Sequence, residues 1–114
     1  MGMDLVANNP EIEPIHYNWT GWYVLYEFLK AKGCPTKEIS GNNDGEPIKA
    51  ETCEQIANLI RNHYRDLPAA HHAYVNEMKA KGYQFGEEPT DEEIQEWYLE
   101  SVPFWENCNG CRQH

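Results

Sequence analysis

The alternation of apolar and polar positions predicts four helices, the first over residues 19–32. Apolar side chains recur there at helical spacing and also occupy the opposite side, which indicates a central helix that is buried widely. Asn18 or Thr20 can cap its start, and Gly33 ends it. This helix is therefore expected to organise the core.

The second and third helices are predicted over 50–65 and 69–81. The second carries one clear apolar stripe, made of Cys53, Ile56, Ala57, Ile60 and Tyr64. The third has a thin stripe of Ala70, Tyr74 and Met78, which favours a peripheral position. His71 and His72 are adjacent on it, so their side chains diverge by about 100° and are expected to face solvent.

A capping box predicts the start of the fourth helix. The Thr90 hydroxyl can accept from the Glu93 N–H, and the Glu93 side chain can reach back to residue 90. Ile94, Trp97 and Tyr98 are expected to carry the buried face to about Ser101, and a separate short turn is expected at 103–105. Residues 36–39 are predicted to form a single turn.

Strand signal is confined to 3–7 and to a few residues near each end of the chain. The prediction is one compact, mainly α domain spanning 1–114, with about four helices and a small β element joining the termini (α+β).

Charge is distributed unevenly along the chain. The formal net charge is −10, and positions 82–111 contain no Lys or Arg. Such a surface repels nucleic acid and membranes and attracts basic proteins, although a merely solubilising surface explains the same composition. The predicted partner-binding residues are Glu87, Glu88, Asp91, Glu92, Glu93, Glu96 and Glu100.

The amino-terminal segment lacks the basic and apolar regions of a signal peptide, and no run is long and apolar enough to cross a membrane. The expected location is the cytoplasm.

A turn-rich segment at 40–47 and an aromatic segment at 16–23 could together hold a small, nucleotide-like ligand. Core packing and a helix-to-helix turn explain the same residues equally well. The predicted ligand-binding residues are His16, Asn18, Trp19, Trp22, Asn42, Asn43, Asp44 and Glu46.

A Cys-x-x-Cys pair near the carboxyl end is the strongest chemical signal. Cys108 and Cys111 flank an Asn-Gly turn suited to tetrahedral zinc, and His114 could add a third ligand. The fourth would come from Cys34, Cys53, His16 or His63. Two other interpretations remain open: Cys53 as a small hydrophobe on its helix stripe, and an exposed tail with two unpaired thiols. No cofactor other than zinc is indicated.

Motifs of catalysis are missing from the sequence. It contains no nucleophile elbow, phosphate-binding loop, dinucleotide fingerprint or His-Glu-x-x-His zinc motif. A non-enzymatic function is therefore favoured.

Four segments resemble a group of small bacterial and phage proteins: 1–4 (Met-Gly-Met-Asp), 16–22 with its spaced Trp residues, the Asn-Asp-Gly loop at 41–45, and 104–110. The resemblance implies a phage or bacterial setting, with a host-cell cytoplasmic location if phage-encoded, and no catalytic residues. This chain departs from the group at 111–114, which puts a closing carboxyl-terminal strand in doubt. The leading prediction is an acidic, protein-binding inhibitor of a basic host-defence or nucleic-acid-handling protein. The alternatives are a small-ligand binder or sponge and a zinc-stabilised module.

Overall fold

The computed structural model describes residues 2–34, 38–39 and 47–114. Within them, three strands and four α-helices follow one another, with a 3-10 turn between the second and third helices. The elements are β1 (Gly2–Ala7), β2 (Ile15–Asn18), α1 (Trp19–Ala31), α2 (Ala50–His63), the turn (Tyr64–Asp66), α3 (Leu67–Ala80), α4 (Asp91–Asn107) and β3 (Cys111–Gln113). None of these helices has the length and apolar character of a membrane span.

The strands form an antiparallel sheet in the order β2-β1-β3, so the amino-terminal strand lies in the middle. Met3 faces Tyr17 on one side, and Leu5 faces Gln113 on the other. The predicted β element joining the two ends is therefore confirmed. The doubt about a closing strand at 111–114 was wrong, because β3 pairs along β1.

The first two predicted helices are confirmed with small shifts in their ends. The Asn18 side chain caps α1 by accepting from the Gly21 N–H at 2.6 Å. Because α2, the 3-10 turn and α3 follow without a gap, the described helical residues form three continuous segments rather than four separate helices. Buried Glu38 accepts from the Lys49 N–H at 2.7 Å and so anchors the start of α2.

The buried face of α3 differs from the prediction. Leu67, His71 and Val75 are buried, whereas Ala70 is exposed. The spacing of four residues places them on one side of the helix, against α1 and α4. His71 is therefore not solvent-facing, because this side of α3 is covered.

Helix α4 begins with the predicted capping box, and both of its hydrogen bonds are present. The predicted break after Ser101 was wrong, because the helix continues through Pro103 to Asn107. Burial of Val102 and Trp105 on either side of the exposed Pro103 holds the helix together there. Tertiary packing thus outweighs the loss of one backbone hydrogen bond at proline.

One aromatic core joins the sheet to the helices. Trp22 and Trp105 are fully buried, and the Trp105 indole N–H donates to the Tyr17 hydroxyl at 3.1 Å. The Tyr98 hydroxyl donates to the Gly21 carbonyl at 2.8 Å. Burial raises the pKa of Tyr17 to about 12, so its hydroxyl keeps its proton at neutral pH. These bonds fix β2, α1 and α4 relative to one another.

Candidate metal centre and acidic surface

Three buried cysteines from three different elements meet in the core. Cys53 lies on α2, Cys108 follows α4, and Cys111 begins β3. Their sulfur atoms all lie within 4.8 Å of one another, and the sulfurs of Cys53 and Cys111 are 3.9 Å apart. This group, the three-cysteine cluster, is close enough to hold a metal ion.

The turn between Cys108 and Cys111 brings both sulfurs to the same side. Asn109 has φ 56° and Gly110 has φ 88°, so two successive residues adopt left-handed backbone conformations. The Gly110 N–H is directed at the Cys108 and Cys53 sulfurs. A backbone donor of this kind favours the thiolate form, which is the form that binds metals.

Gly110 is also required for steric reasons. A Cβ atom at this position would lie 2.7 Å from the Asn8 amide nitrogen and 2.9 Å from the Ile48 carbonyl oxygen. That carbonyl accepts from the Cys111 N–H at 2.9 Å. The close approach of three chain segments therefore needs glycine here.

Interactions among the three thiols shift their pKa values in opposite directions. Bonds from Cys111 and Cys53 lower the pKa of Cys108. The pKa values of Cys53 and Cys111 are raised, chiefly by their interaction with Cys108. The three thiols therefore influence one another's protonation and do not titrate independently.

The structure brings together two of the three predicted metal ligands. Cys108 and Cys111 are in the cluster, and Cys53 joins them from the set proposed for the fourth position. The predicted exposure of this tail was wrong, since both cysteines are buried, although neither forms a disulfide. His114 is exposed beyond β3, and its backbone N–H donates to the Asp4 carbonyl.

The other candidate ligands lie elsewhere. Cys34 is buried outside the cluster. His16 contacts Asp4 at 2.7 Å, and His63 contacts Asp66 at 3.5 Å.

The predicted small-ligand residues are dispersed. Trp22 is buried in the core, and Trp19 is half-buried against Tyr23. His16 and Asn18 line a cavity of about 460 Å³ beside Trp97 and Tyr98. The side chains of Asn18 and Tyr98 are already engaged in hydrogen bonds that hold α1. Asn42, Asn43, Asp44 and Glu46 lie outside the described residues.

The predicted acidic residues are all exposed, around the start and outer face of α4. They are Glu87, Glu88, Asp91, Glu92, Glu93, Glu96 and Glu100, here called the acidic surface. Asp91 contacts His72 at 2.8 Å, and Glu88 lies 3.7 Å from the Lys79 ammonium. Trp97 was predicted to lie on the buried face of α4, but it is 44% exposed within the acidic surface. Helical spacing places Trp97 on the same face as Glu93 and Glu100, and this spacing could have indicated its exposure.

No protein-family model, curated protein or solved structure matches the chain. The resemblance to small phage and bacterial proteins therefore stays a prediction.

Proposed function

We propose that the chain is a small, non-enzymatic binding protein whose fold is held closed by a zinc ion on Cys53, Cys108 and Cys111. The observation that carries this proposal is the convergence of three buried sulfurs from α2, the turn after α4 and β3. Thiolate ligands favour zinc among the abundant divalent ions. A bound ion would join parts of the chain that come together only in the folded state.

The separation between the Cys53 and Cys111 sulfurs supports a tetrahedral ion. Zinc–sulfur bonds are about 2.3 Å long, so two thiolates on one tetrahedral zinc lie about 3.8 Å apart. The separation of 3.9 Å between the Cys53 and Cys111 sulfurs fits this value. It is well beyond the length of about 2.05 Å for a disulfide. Structural zinc sites have four ligands, so one further group would complete this one.

Metal content tests this proposal. We expect native mass spectrometry of protein purified without chelator to show one zinc ion per chain, which Cys108→Ser and Cys111→Ser remove. Cys34→Ser is the matched control, because Cys34 is equally buried but outside the cluster, and this variant should keep the ion. A metal-free wild-type chain, or one that has lost two hydrogens through a disulfide, would contradict the proposal.

The second part of the proposal is a partner for the acidic surface, favoured by the exposed Trp97 among carboxylates. Aromatic residues concentrate at binding hot spots, and charged rims steer oppositely charged partners. We infer that a basic protein docks here. In the phage setting implied by the resemblance, that partner would be a basic host-defence or nucleic-acid-handling protein, and the chain would inhibit it in the host cytoplasm.

Charge reversal separates a specific surface from general attraction. We expect Glu92→Lys with Glu96→Lys to weaken binding of a fluorescein-labelled peptide of alternating lysine and glycine by about tenfold at low salt. The control, Glu51→Lys with Glu54→Lys on the exposed side of α2, changes net charge equally and should have a smaller effect. Fluorescence polarisation measures both, and binding should also weaken as salt is added. Equal weakening by the two variants would show that only net charge matters.

A further inference from the structure

A second cavity lies on the other side of Trp97, at the edge of the acidic surface. It has a volume of about 180 Å³ and lies between the start of α1, α3, the loop before α4 and α4 itself. The residues of its lining that matter here are His71, Phe85, Glu87, Glu88 and Trp97. We call it the His71 cavity.

His71 gives this cavity a buried acceptor. The side chain is only 5% exposed, and its Nδ1 has no hydrogen-bond partner among the described residues. Burial lowers the pKa of His71, and the neighbouring His72 lowers it further against an opposing effect of Glu88. The imidazole is therefore neutral at neutral pH, and a neutral imidazole presents one nitrogen as an acceptor. A buried polar atom without a partner calls for a hydrogen-bonding group.

The rim of the cavity is anionic. Glu87 makes no hydrogen bond or ion pair to another described residue, and it is exposed. Glu88 lies 3.7 Å from the Lys79 ammonium and 3.8 Å from His72, which are longer than hydrogen bonds. Both carboxylates thus keep acceptor capacity for an incoming cation.

The walls of the cavity are aromatic. Trp97 packs edge to face with His71, with ring centroids 6.4 Å apart, and Phe85 lines the same space. Aromatic rings attract guanidinium groups and cover the methylene stem of a long basic side chain. Acceptor, carboxylates and rings together match a planar cation that donates several hydrogen bonds.

We propose that the His71 cavity receives the guanidinium group of an arginine side chain from the basic partner. This inference rests on the docking surface proposed above and names the side chain that anchors it. Arginine fits better than lysine, because its rigid fork donates to carboxylates in pairs and its plane stacks on aromatic rings.

A blocked arginine, N-acetyl-arginine methylamide, tests the cavity in the whole protein labelled with ¹⁵N. Its only charge is the guanidinium, and the corresponding citrulline compound has the same shape without the charge. We expect the arginine compound to shift the NMR signals of the Trp97 indole and the Gly86 amide, and the citrulline compound to bind at least about tenfold more weakly. Equal binding of both compounds, or shifts confined to other residues, would overturn the proposal.

Two sets of variants locate the binding. Glu87→Gln with Glu88→Gln should weaken the arginine compound by about tenfold, whereas Glu51→Gln with Glu54→Gln should change it by less than about twofold. His71→Phe keeps the aromatic volume but removes the acceptor, and it should weaken binding as much as the carboxamide pair. If folded variants of both kinds bind the arginine compound as tightly as the wild type does, the proposed binding of arginine in the His71 cavity is wrong.

The experiments distinguish an error in the cavity proposal from an error in the proposed function. If the lysine–glycine peptide still responds to Glu92→Lys with Glu96→Lys while the arginine compound does not bind, the acidic surface stands and the cavity proposal is wrong. The zinc content is measured independently of either result.

Discussion

Cys53→Ser is expected to lower the free energy of unfolding by about 4 kcal/mol, a large effect for the exchange of one sulfur for one oxygen. The reason is that the proposed zinc ion would bind the folded chain and hardly the unfolded one, so its binding free energy would stabilise the fold. Loss of one ligand from the three-cysteine cluster leaves two thiolates, too few for a structural site. Urea unfolding monitored by circular dichroism gives the value.

The control is Cys34→Ser, which places the same hydroxyl in a buried position outside the cluster and should cost about 1 kcal/mol. A chelator should lower the melting temperature of the wild type and of Cys34→Ser. It should leave Cys53→Ser unchanged, since that variant has no ion to lose. A chelator without effect on any of the three proteins would refute the metal centre.

Gly110→Ala is expected to destabilise the fold by about 3 kcal/mol, in two separable parts. The first is the left-handed backbone at φ 88°, which costs about 1–2 kcal/mol for a residue with a Cβ. The second is contact with the Ile48 carbonyl and the Asn8 side chain, which would have to move. Movement of Ile48 would disturb its bridge to Cys111 and displace a ligand of the proposed ion.

Gly33→Ala isolates the backbone part, because Gly33 has the same φ of 88° with nothing within 4 Å of its Cβ position. It should cost only about 1–2 kcal/mol and leave the zinc content unchanged. Thermal unfolding and metal analysis of both variants test this difference. Equal destabilisation would mean that the crowding around Gly110 relaxes freely.

Local signals in the sequence were sufficient for most of the helices. The capping box at Thr90 and the stripe on α2 each depend on residues about one turn apart, and both are confirmed except that Tyr64 is only half-buried. The predicted break before Pro103 was wrong because it considered only the local cost of proline. Packing of Trp105 in the core keeps the helix continuous. The predicted exposure of His71 was wrong because it relied on the polar residue type. The sequence does not show which side of α3 is covered by other helices.

Only part of the candidate metal centre could be predicted from the sequence. The Cys-x-x-Cys spacing indicates two ligands, but Cys53 is 58 residues away from Cys111 and occupies an apolar stripe. Cys53 belongs both to the hydrophobic core and to the three-cysteine cluster. The His71 cavity could not be predicted from the sequence, because it depends on how α1, α3 and α4 pack around Trp97.

The central position of β1 has a consequence for the order in which the protein is made. Ribosomes synthesise β1 first, yet one of its two neighbours in the sheet is β3, whose Gln113 is 110 residues away from Met3. During translation β1 can pair with β2 at once, but its other edge stays unpaired until β3 leaves the exit tunnel. Long-range pairing of this kind slows folding. Until β3 is available, the nascent chain therefore carries an open strand edge, which is a site for chaperone binding or misassembly.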